Sequence, residues 1–255
     1  MEIKIGTSGY SFEDWRGNFY PEKIEKGKMF DFYKEHFSTV EINSTYYRIP
    51  HPAVMANINK KAPDSFEFMV KTPEVITHKR KDITQATNDF KDCLKPMVES
   101  KRLKGLLAQF PFSFKFSSLN LTYIKNCQDL LRPHPLFVEF RHDSWNNREM
   151  AEAFKKAGIG YVSVDEPQLS GLLKPILYNT TETAYLRLHG RNAEHWWGGG
   201  ALRYDYDYSD QELQEWKEKI QKLEGKAKKL YIFFNNCHLG QAVKNARRMM
   251  EMLNL

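Results

Sequence analysis

Eight short apolar runs that end in polar or charged residues constrain the fold of this chain more than any other feature. The runs begin at Lys4, Thr39, Phe66, Gly105, Leu136, Tyr161, Ala184 and Leu230. Successive strand residues point to opposite faces, so alternation divides each run into an apolar set and a set with polar ends. Segments with helical character separate most of the runs. Strands that alternate with helices eight times predict an α/β fold, the (β/α)₈ or TIM barrel.

The length of the chain agrees with one such barrel. A chain of 255 residues is close to the roughly 250 that a single (β/α)₈ barrel needs, and no Pro- or Ser-rich linker divides it. We therefore predict one domain over residues 1–255. A doubly wound open sheet is the competing architecture. It is less favoured because Gly6-Thr7-Ser8-Gly9, after the first run, lacks the spacing of a dinucleotide-binding loop.

The charge balance indicates the kind of partner. A formal net charge of +6 and a pI near 9.0 favour an anionic small molecule or nucleic acid, although solvated surface lysines would give the same excess. The three cysteines show neither a disulfide pattern nor metal-finger spacing, which fits a reducing compartment. No signal peptide or membrane-spanning stretch is recognisable. We expect a cytoplasmic protein without a membrane segment, and the sequence does not indicate an oligomeric state.

The polar run ends supply most of the predicted site, because a barrel builds its active site at the C-terminal ends of its strands. The residues that we expect to point inward there are Glu41, Asn43, Lys71, Gln109, Glu139, Arg141, Asp165, Arg187, His189 and Asn235. Glu139 or Glu41 would activate a water molecule, and His189 would protonate the leaving oxygen. The alternative is that the carboxylates form salt bridges with the cations across the mouth.

The remaining predicted site residues bind substrate. Lys71, Arg141 and Arg187 would hold a phosphate or carboxylate, helped by the polar side chains of Asn43, Gln109, Asp165 and Asn235. Three aromatic residues in loops after strands, Tyr10, Trp145 and Trp196, would stack on a base or a sugar, or else pack into the core. Trp196 belongs to a glycine-rich loop, Gly190–Tyr208, which could be a lid over the mouth or an ordinary surface loop.

No cofactor is predicted. The histidines are scattered, and no H-E-x-x-H or H-x-H motif occurs. A divalent metal held by residues from several strand ends would escape such spacing rules, so that alternative stays open.

Several segments also resemble a known family. They include IGTSGYSFEDWRGNFYP, TVEINSTYYRIP, LLAQFPFSF, VEFRHDSW, YLRLHGR and FFNNCHLGQAVKNA, and together they extend from Ile5 to Ala246. In these segments the chain resembles the YecE-like proteins, a family of unknown function. The resemblance implies a TIM barrel and supplies no catalytic residues. Its only functional implication is an analogy of shape with metal-dependent barrel endonucleases and sugar-phosphate enzymes.

The sequence thus leads to one principal hypothesis and two alternatives. The principal one is a hydrolase that acts on an anionic phosphoester, in nucleic acid or a nucleotide, at the C-terminal mouth of the barrel. One alternative is a glycoside hydrolase that uses Glu41 and Glu139 as its pair of carboxylates. The other is a non-catalytic nucleic-acid-binding protein with a basic mouth and an aromatic loop.

Overall fold

The computed structural model describes residues 1–255 and contains one sheet of eight parallel strands. The strands are β1 (Glu2–Thr7), β2 (Thr39–Ile42), β3 (Glu67–Lys71), β4 (Leu103–Gln109), β5 (Leu136–Glu139), β6 (Gly160–Asp165), β7 (Thr183–Leu188) and β8 (Lys229–Phe234). They pair in chain order, and β8 pairs with β1. A short parallel bridge between Ser8 and Glu41 joins β1 to β2, so the sheet forms a nearly closed barrel. The predicted (β/α)₈ fold is confirmed.

Helices cover the outside of the barrel. They are α1 (Met29–Tyr33), α2 (Ser44–Tyr47), α3 (Pro52–Lys61), α4 (Ile83–Glu99), α5 (Ser118–Leu131), α6 (Arg148–Ala157), α7 (Asp210–Gln221) and α8 (Gln241–Leu253). No helix joins β6 to β7, as Gly171 and Pro175 predict. The capping box expected at the start of α7 is present, because Ser209 and Glu212 bond to each other's backbone N–H. None of the helices combines the length and the apolar character that crossing a membrane requires.

Aromatic side chains fill the barrel beneath its mouth. The ring of Tyr185 lies 5.3 Å from that of Phe137 and 5.4 Å from that of Phe233, measured between centroids. Each of these residues is buried. They lie two residues before Arg187, Glu139 and Asn235 on their strands and therefore point to the same side. The polar side chains at the strand ends thus lie on a packed aromatic layer, and they can be reached only from the C-terminal face of the barrel.

The sixth strand departs from the predicted parity. A Cβ on Gly160 would lie 2.2 Å from the ring of Phe137, so Gly160 faces the barrel interior and Asp165, five residues later, faces outward. There Asp165 accepts two hydrogen bonds from Arg191 Nε, at 3.1 and 3.0 Å. The prediction that Asp165 points into the mouth is therefore wrong. Glu166 is the residue of this segment that points toward the mouth, where it contacts Arg141.

Candidate active site at the barrel mouth

Arg187 lies at the centre of a buried cluster of charged side chains. Its Nε and Nη2 donate to the two carboxylate oxygens of Glu41, at 2.9 and 2.6 Å, and its Nη1 donates to Glu139 Oε2 at 2.7 Å. Tyr185, on the same face of β7, donates its hydroxyl to Glu41 as well. Burial alone would lower the pKa of Arg187, but Glu139 and Glu41 raise it well above its usual value. One guanidinium therefore holds two carboxylates together.

Arg141 extends this cluster toward the sixth strand. Its Nη2 lies 2.8 Å from Glu139 Oε1, and its Nη1 donates to Glu166 Oε2 at 3.1 Å. Burial acts to raise the pKa of Glu139, but Arg141 and Arg187 outweigh it and hold that pKa well below the usual range. Burial raises the pKa of Glu166 to about 7, because Arg141 offsets it only in part. Glu139 is thus ionised at neutral pH, whereas Glu166 titrates there.

His189 is buried against the same cluster. Its Nδ1 lies 2.9 Å from the side-chain nitrogen of Asn235, and its Nε2 lies 3.3 Å from Glu139 Oε1. Burial, reinforced by the charge of Arg141, lowers the pKa of His189 to about 3. We infer a neutral ring at pH 7 whose Nδ1 accepts from Asn235 and whose Nε2 carries the proton without making a hydrogen bond. This imidazole lies below the mouth and has no solvent-exposed surface.

A cavity of about 480 Å³ opens above the charged cluster, within the size range of small-molecule sites. The polar residues that line it are Ser8, Ser11, Asn43, Ser44, Lys71, Gln109, Arg141, Arg187 and Asn235. Aromatic residues line it too, and they are Tyr10, Phe12, Tyr46, Tyr47 and Tyr204. No aspartate or glutamate is among the lining residues. The cavity wall therefore contains three basic side chains and no acidic one, although the guanidinium of Arg187 is bonded to Glu41 and Glu139 beneath the wall.

A second lobe of about 290 Å³ adjoins this cavity and shares Lys71 and Arg141 with it. Trp196 forms part of its wall, with the guanidinium groups of Arg141 and Arg203 at 5.5 and 5.4 Å from the indole ring. Trp197 lies at the rim, and 52% of its surface is exposed. No carboxylate lines this lobe either.

Lys71 differs from Arg141 and Arg187 because it has no carboxylate partner. Its Nζ donates to Gln109 Oε1 at 3.0 Å and lies 4.3 Å from the centroid of the Tyr46 ring. Burial, reinforced by Arg187, lowers the pKa of Lys71 to about 7. A substantial fraction of its amine is therefore uncharged at neutral pH.

The structure divides the predicted site residues into three groups. Asn43, Lys71, Gln109, Arg141, Arg187, Asn235 and Tyr10 line the main cavity, and Trp196 lines the second lobe. Glu41, Glu139 and His189 lie underneath and line neither lobe. This arrangement matches the salt-bridge alternative for the two carboxylates, and it does not support their predicted catalytic roles or that of His189. Asp165 and Trp145 lie away from both lobes.

Trp145 packs between the barrel and its outer helices rather than at the mouth. Its indole stacks on the ring of Phe140 at a centroid distance of 4.0 Å, and its Nε1 donates to the carbonyl of Phe114 at 2.6 Å. The side chain is fully buried. The prediction that Trp145 faces substrate is therefore wrong, because its partners belong to the outer side of the sheet.

Two residues of the charged cluster, Tyr185 and Glu166, were not among the predicted site residues. Tyr185 precedes Arg187 by two residues, so the alternation that selected Arg187 could have found it as well. Glu166 follows Asp165 directly, and nothing in the sequence shows which of these two acids faces the mouth. The rim residues Tyr46 and Tyr204 lie in a short α-helix and a short 3₁₀ helix, where the alternation of a strand does not apply.

No group of three or more His, Cys, Asp or Glu side chains is arranged so that it could hold a metal ion. The carboxylates and the histidine at the mouth instead bond to Arg187, Arg141 and Asn235. The prediction that no cofactor is needed stays a prediction.

Comparison with known proteins identifies the family. The family model described as "Protein of unknown function DUF72" matches residues 4–255. UPF0759 protein YunF of Bacillus subtilis (strain 168) is 33% identical, over 99% of this chain and 95% of its own length.

Solved structures agree with this result. A DUF72 family protein of Thermotoga maritima MSB8 is 41% identical, with a TM-score of 0.93 and coverage of 100% of both chains. Another, from Enterococcus faecalis V583, is 28% identical with a TM-score of 0.90, over 99% of this chain and 96% of that chain. The resemblance to a family of unknown function is thus confirmed, under the DUF72 and UPF0759 names rather than as YecE-like. The chain belongs to the DUF72 family.

Proposed function

We propose that this protein is an enzyme that acts on a small phosphate ester at the mouth of the barrel. The observation that carries the proposal is the composition of the cavity wall, where Lys71, Arg141 and Arg187 converge from three strand ends and no carboxylate lies among them. Arginine binds phosphate with a planar fork of donors, and a water-poor cavity strengthens that interaction. An anionic ligand is therefore the complementary partner.

The dimensions of the cavity favour a small ligand over a polymer. A volume of about 480 Å³ suits a mononucleotide or a sugar phosphate. Asn43 contributes a buried side-chain oxygen that has no hydrogen-bond partner in the structure. Such an acceptor at the cavity wall would bind a hydroxyl group of the ligand. We therefore favour a hydroxylated phosphate monoester as the substrate class.

Hydrolysis of the ester is the reaction that we propose: water forms the new bond to phosphorus, the bond to the leaving oxygen breaks, and a proton of the water is transferred to that oxygen. Arg141 would neutralise charge on the phosphate as the bond to the leaving oxygen breaks. Glu41 and Glu139 would act one layer below, because their bonds hold Arg187 and Arg141 in fixed orientations. Neither Glu41 nor Glu139 lines the cavity, and this also argues against a glycosidase, whose two carboxylates must flank the scissile bond.

The proposal is tested by measuring phosphate release from p-nitrophenyl phosphate, nucleoside monophosphates and sugar phosphates. Arg141→Met should abolish any turnover found, because the phosphate loses its main partner. Arg148→Met, on the exposed side of α6, is the matched control and should retain it. Turnover that survives Arg141→Met, or an absence of both turnover and binding across the three classes, would contradict the proposal.

A non-catalytic nucleic-acid-binding protein is the second candidate, favoured by the rim of the mouth. Tyr47 and Trp197 are 81% and 52% exposed beside the cation-lined lobes, an arrangement that suits stacking of successive bases. This candidate predicts salt-sensitive binding of single-stranded oligonucleotides, weakened by Trp197→Ala, with no turnover of any phosphate ester.

A further inference from the structure

Lys71 combines a basic nitrogen, access to both lobes of the cavity and the absence of an acidic partner. It lines both lobes, and its Nζ has a single hydrogen-bond partner, the amide oxygen of Gln109 at 3.0 Å. The carboxylates of Glu41 and Glu139, whose charges act on Lys71, accept hydrogen bonds from Arg187 instead. A lysine that merely supports the fold would normally pair its charge with an acid.

The surroundings of Lys71 disfavour its protonated form. Burial is the largest cause. Arg187 and Arg141 add positive charge from the ends of β7 and β5, whereas the charges of Glu139 and Glu41 act in the opposite sense. The ring of Tyr46, whose centroid lies 4.3 Å from the amine nitrogen, also acts in the opposite sense, because an aromatic face attracts the protonated amine. A desolvated amine beside other cations is the arrangement that makes lysine a nucleophile toward carbonyl groups.

We propose that Lys71 is a nucleophilic amine that forms an imine with the carbonyl carbon of a phosphorylated aldehyde or ketone held in the mouth cavity. The lone pair of Nζ forms the new C–N bond, and the carbonyl electrons move onto oxygen. That oxygen then leaves as water with the two protons of the amine, so no oxidant or reductant is required. The inference rests on the phosphate-binding cavity proposed above, and it does not depend on which bond of the ester the enzyme breaks.

The two parts of such a ligand match two parts of the site. Arg141 is shared by both lobes and can hold the phosphate, while Lys71 lies at the junction of the lobes. The hydroxyl groups of a sugar phosphate would meet Asn43, whose side-chain oxygen is unpartnered. The substrate class narrows accordingly to phosphate esters that also carry an aldehyde or ketone.

The test uses pyridoxal phosphate, a phosphorylated aldehyde, with pyridoxal as the matched probe without phosphate. The whole protein is incubated with either aldehyde at pH 7, reduced with borohydride, digested, and analysed for modified lysines by mass spectrometry. An ordinary lysine with a pKa of about 10.4 is uncharged in roughly one molecule in 2,500 at this pH, whereas an amine with a pKa near 7 is uncharged in about half. These fractions differ about 1,000-fold, but a less basic amine is also a weaker nucleophile, so we expect Lys71 to be modified about 100-fold more than the exposed Lys125.

The outcomes separate this inference from the proposed function. Preferential modification of Lys71 by pyridoxal phosphate, with protection by inorganic phosphate, supports both. Equal modification of Lys71 by the two aldehydes, without protection, supports the reactive amine and overturns the phosphate site. Binding of inorganic phosphate, detected by a raised melting temperature, without modification of Lys71 above Lys125 overturns the inference and leaves the proposed function standing.

Two variants serve as controls, one for the lysine that forms the imine and one for the role of the phosphate. Lys71→Arg keeps a cation at the position but cannot form an imine, so the modified peptide should disappear while stabilisation by phosphate persists. Arg141→Met should reduce modification by pyridoxal phosphate about tenfold or more and leave modification by pyridoxal within about twofold. If Arg141→Met lowers both equally, the phosphate is not what directs the aldehyde to Lys71.

Discussion

Two layers of polar side chains lie at the mouth of the barrel, and they differ in whether their charges have partners. In the lower layer, Glu41 and Glu139 share the guanidinium of Arg187. In the upper layer, Lys71 and Asn43 face the cavity with unused hydrogen-bonding capacity. The comparison teaches that charged residues converging at strand ends do not all face the cavity, because some of them pair beneath it and support the groups that line it.

The largest expected effect is on the lower layer. Arg187→Met should destabilise the protein by about 3–5 kcal/mol, because it leaves the carboxylates of Glu41 and Glu139 buried without their shared cation. Urea denaturation measures this loss, with Arg148→Met on the exposed side of α6 as the control, expected within about 0.5 kcal/mol of the wild type. If Arg187→Met lowers the free energy of unfolding by less than about 1 kcal/mol, the distinction between the two layers is wrong.

The next effect concerns acid stability and the buried ring of His189. Its pKa is lowered to about 3 in the folded state, against about 6.5 in the unfolded chain, so the unfolded chain takes up the proton first. Stability is therefore lost as pH falls from about 6.5 toward 3, and His189 should account for about 2–3 kcal/mol of the loss at pH 4.5. His189→Gln should remove this part of the acid sensitivity. Denaturation curves at pH 7 and 4.5 that change alike in both proteins would show that His189 is not buried in its neutral form.

A smaller effect distinguishes the upper layer. The pKa of Lys71 is lowered to about 7 in the folded protein, so stability is present above the unfolded pKa of about 10.4 and is lost as pH falls from there to about 7. Lys71→Met removes this loss, and its stability relative to the wild type should increase by about 1–2 kcal/mol between pH 10 and pH 7, allowing for partial exposure of the amine. Lys125→Met is the exposed control, for which the difference should stay flat. An opposite trend for Lys71→Met would mean that the amine is paired after all.

The barrel and most of the inward residues could be predicted from alternation alone. Glu41, Lys71, Glu139 and Arg187 point inward as expected, because their strands keep a regular pleat. The orientation of the sixth strand was predicted wrongly. Gly160 faces the barrel interior, where a Cβ would clash with the ring of Phe137, and the residues that alternate with it face outward. Periodicity shows which residues share a face, and it shows which face is buried only when one set is clearly apolar.

The depth of a side chain and its partners could not be predicted. Trp145 and Trp196 follow strands in similar loops, yet one stacks on Phe140 in the core and the other lies beside Arg141 at the mouth. Likewise, nothing in the sequence shows that Glu139 forms ion pairs with two arginines while Lys71 has no acidic partner. Such differences arise from long-range packing, and local propensity does not encode them.

Affinity for phosphate tests the central claim, that the cations of the mouth face a ligand site, most directly. Isothermal titration with inorganic phosphate and with a sugar phosphate should show binding to the wild-type protein and to Arg148→Met. For Arg141→Met the dissociation constant should rise about tenfold or more, equivalent to about 1.4 kcal/mol. An unchanged constant for Arg141→Met, or no binding to the wild-type protein, would contradict the account.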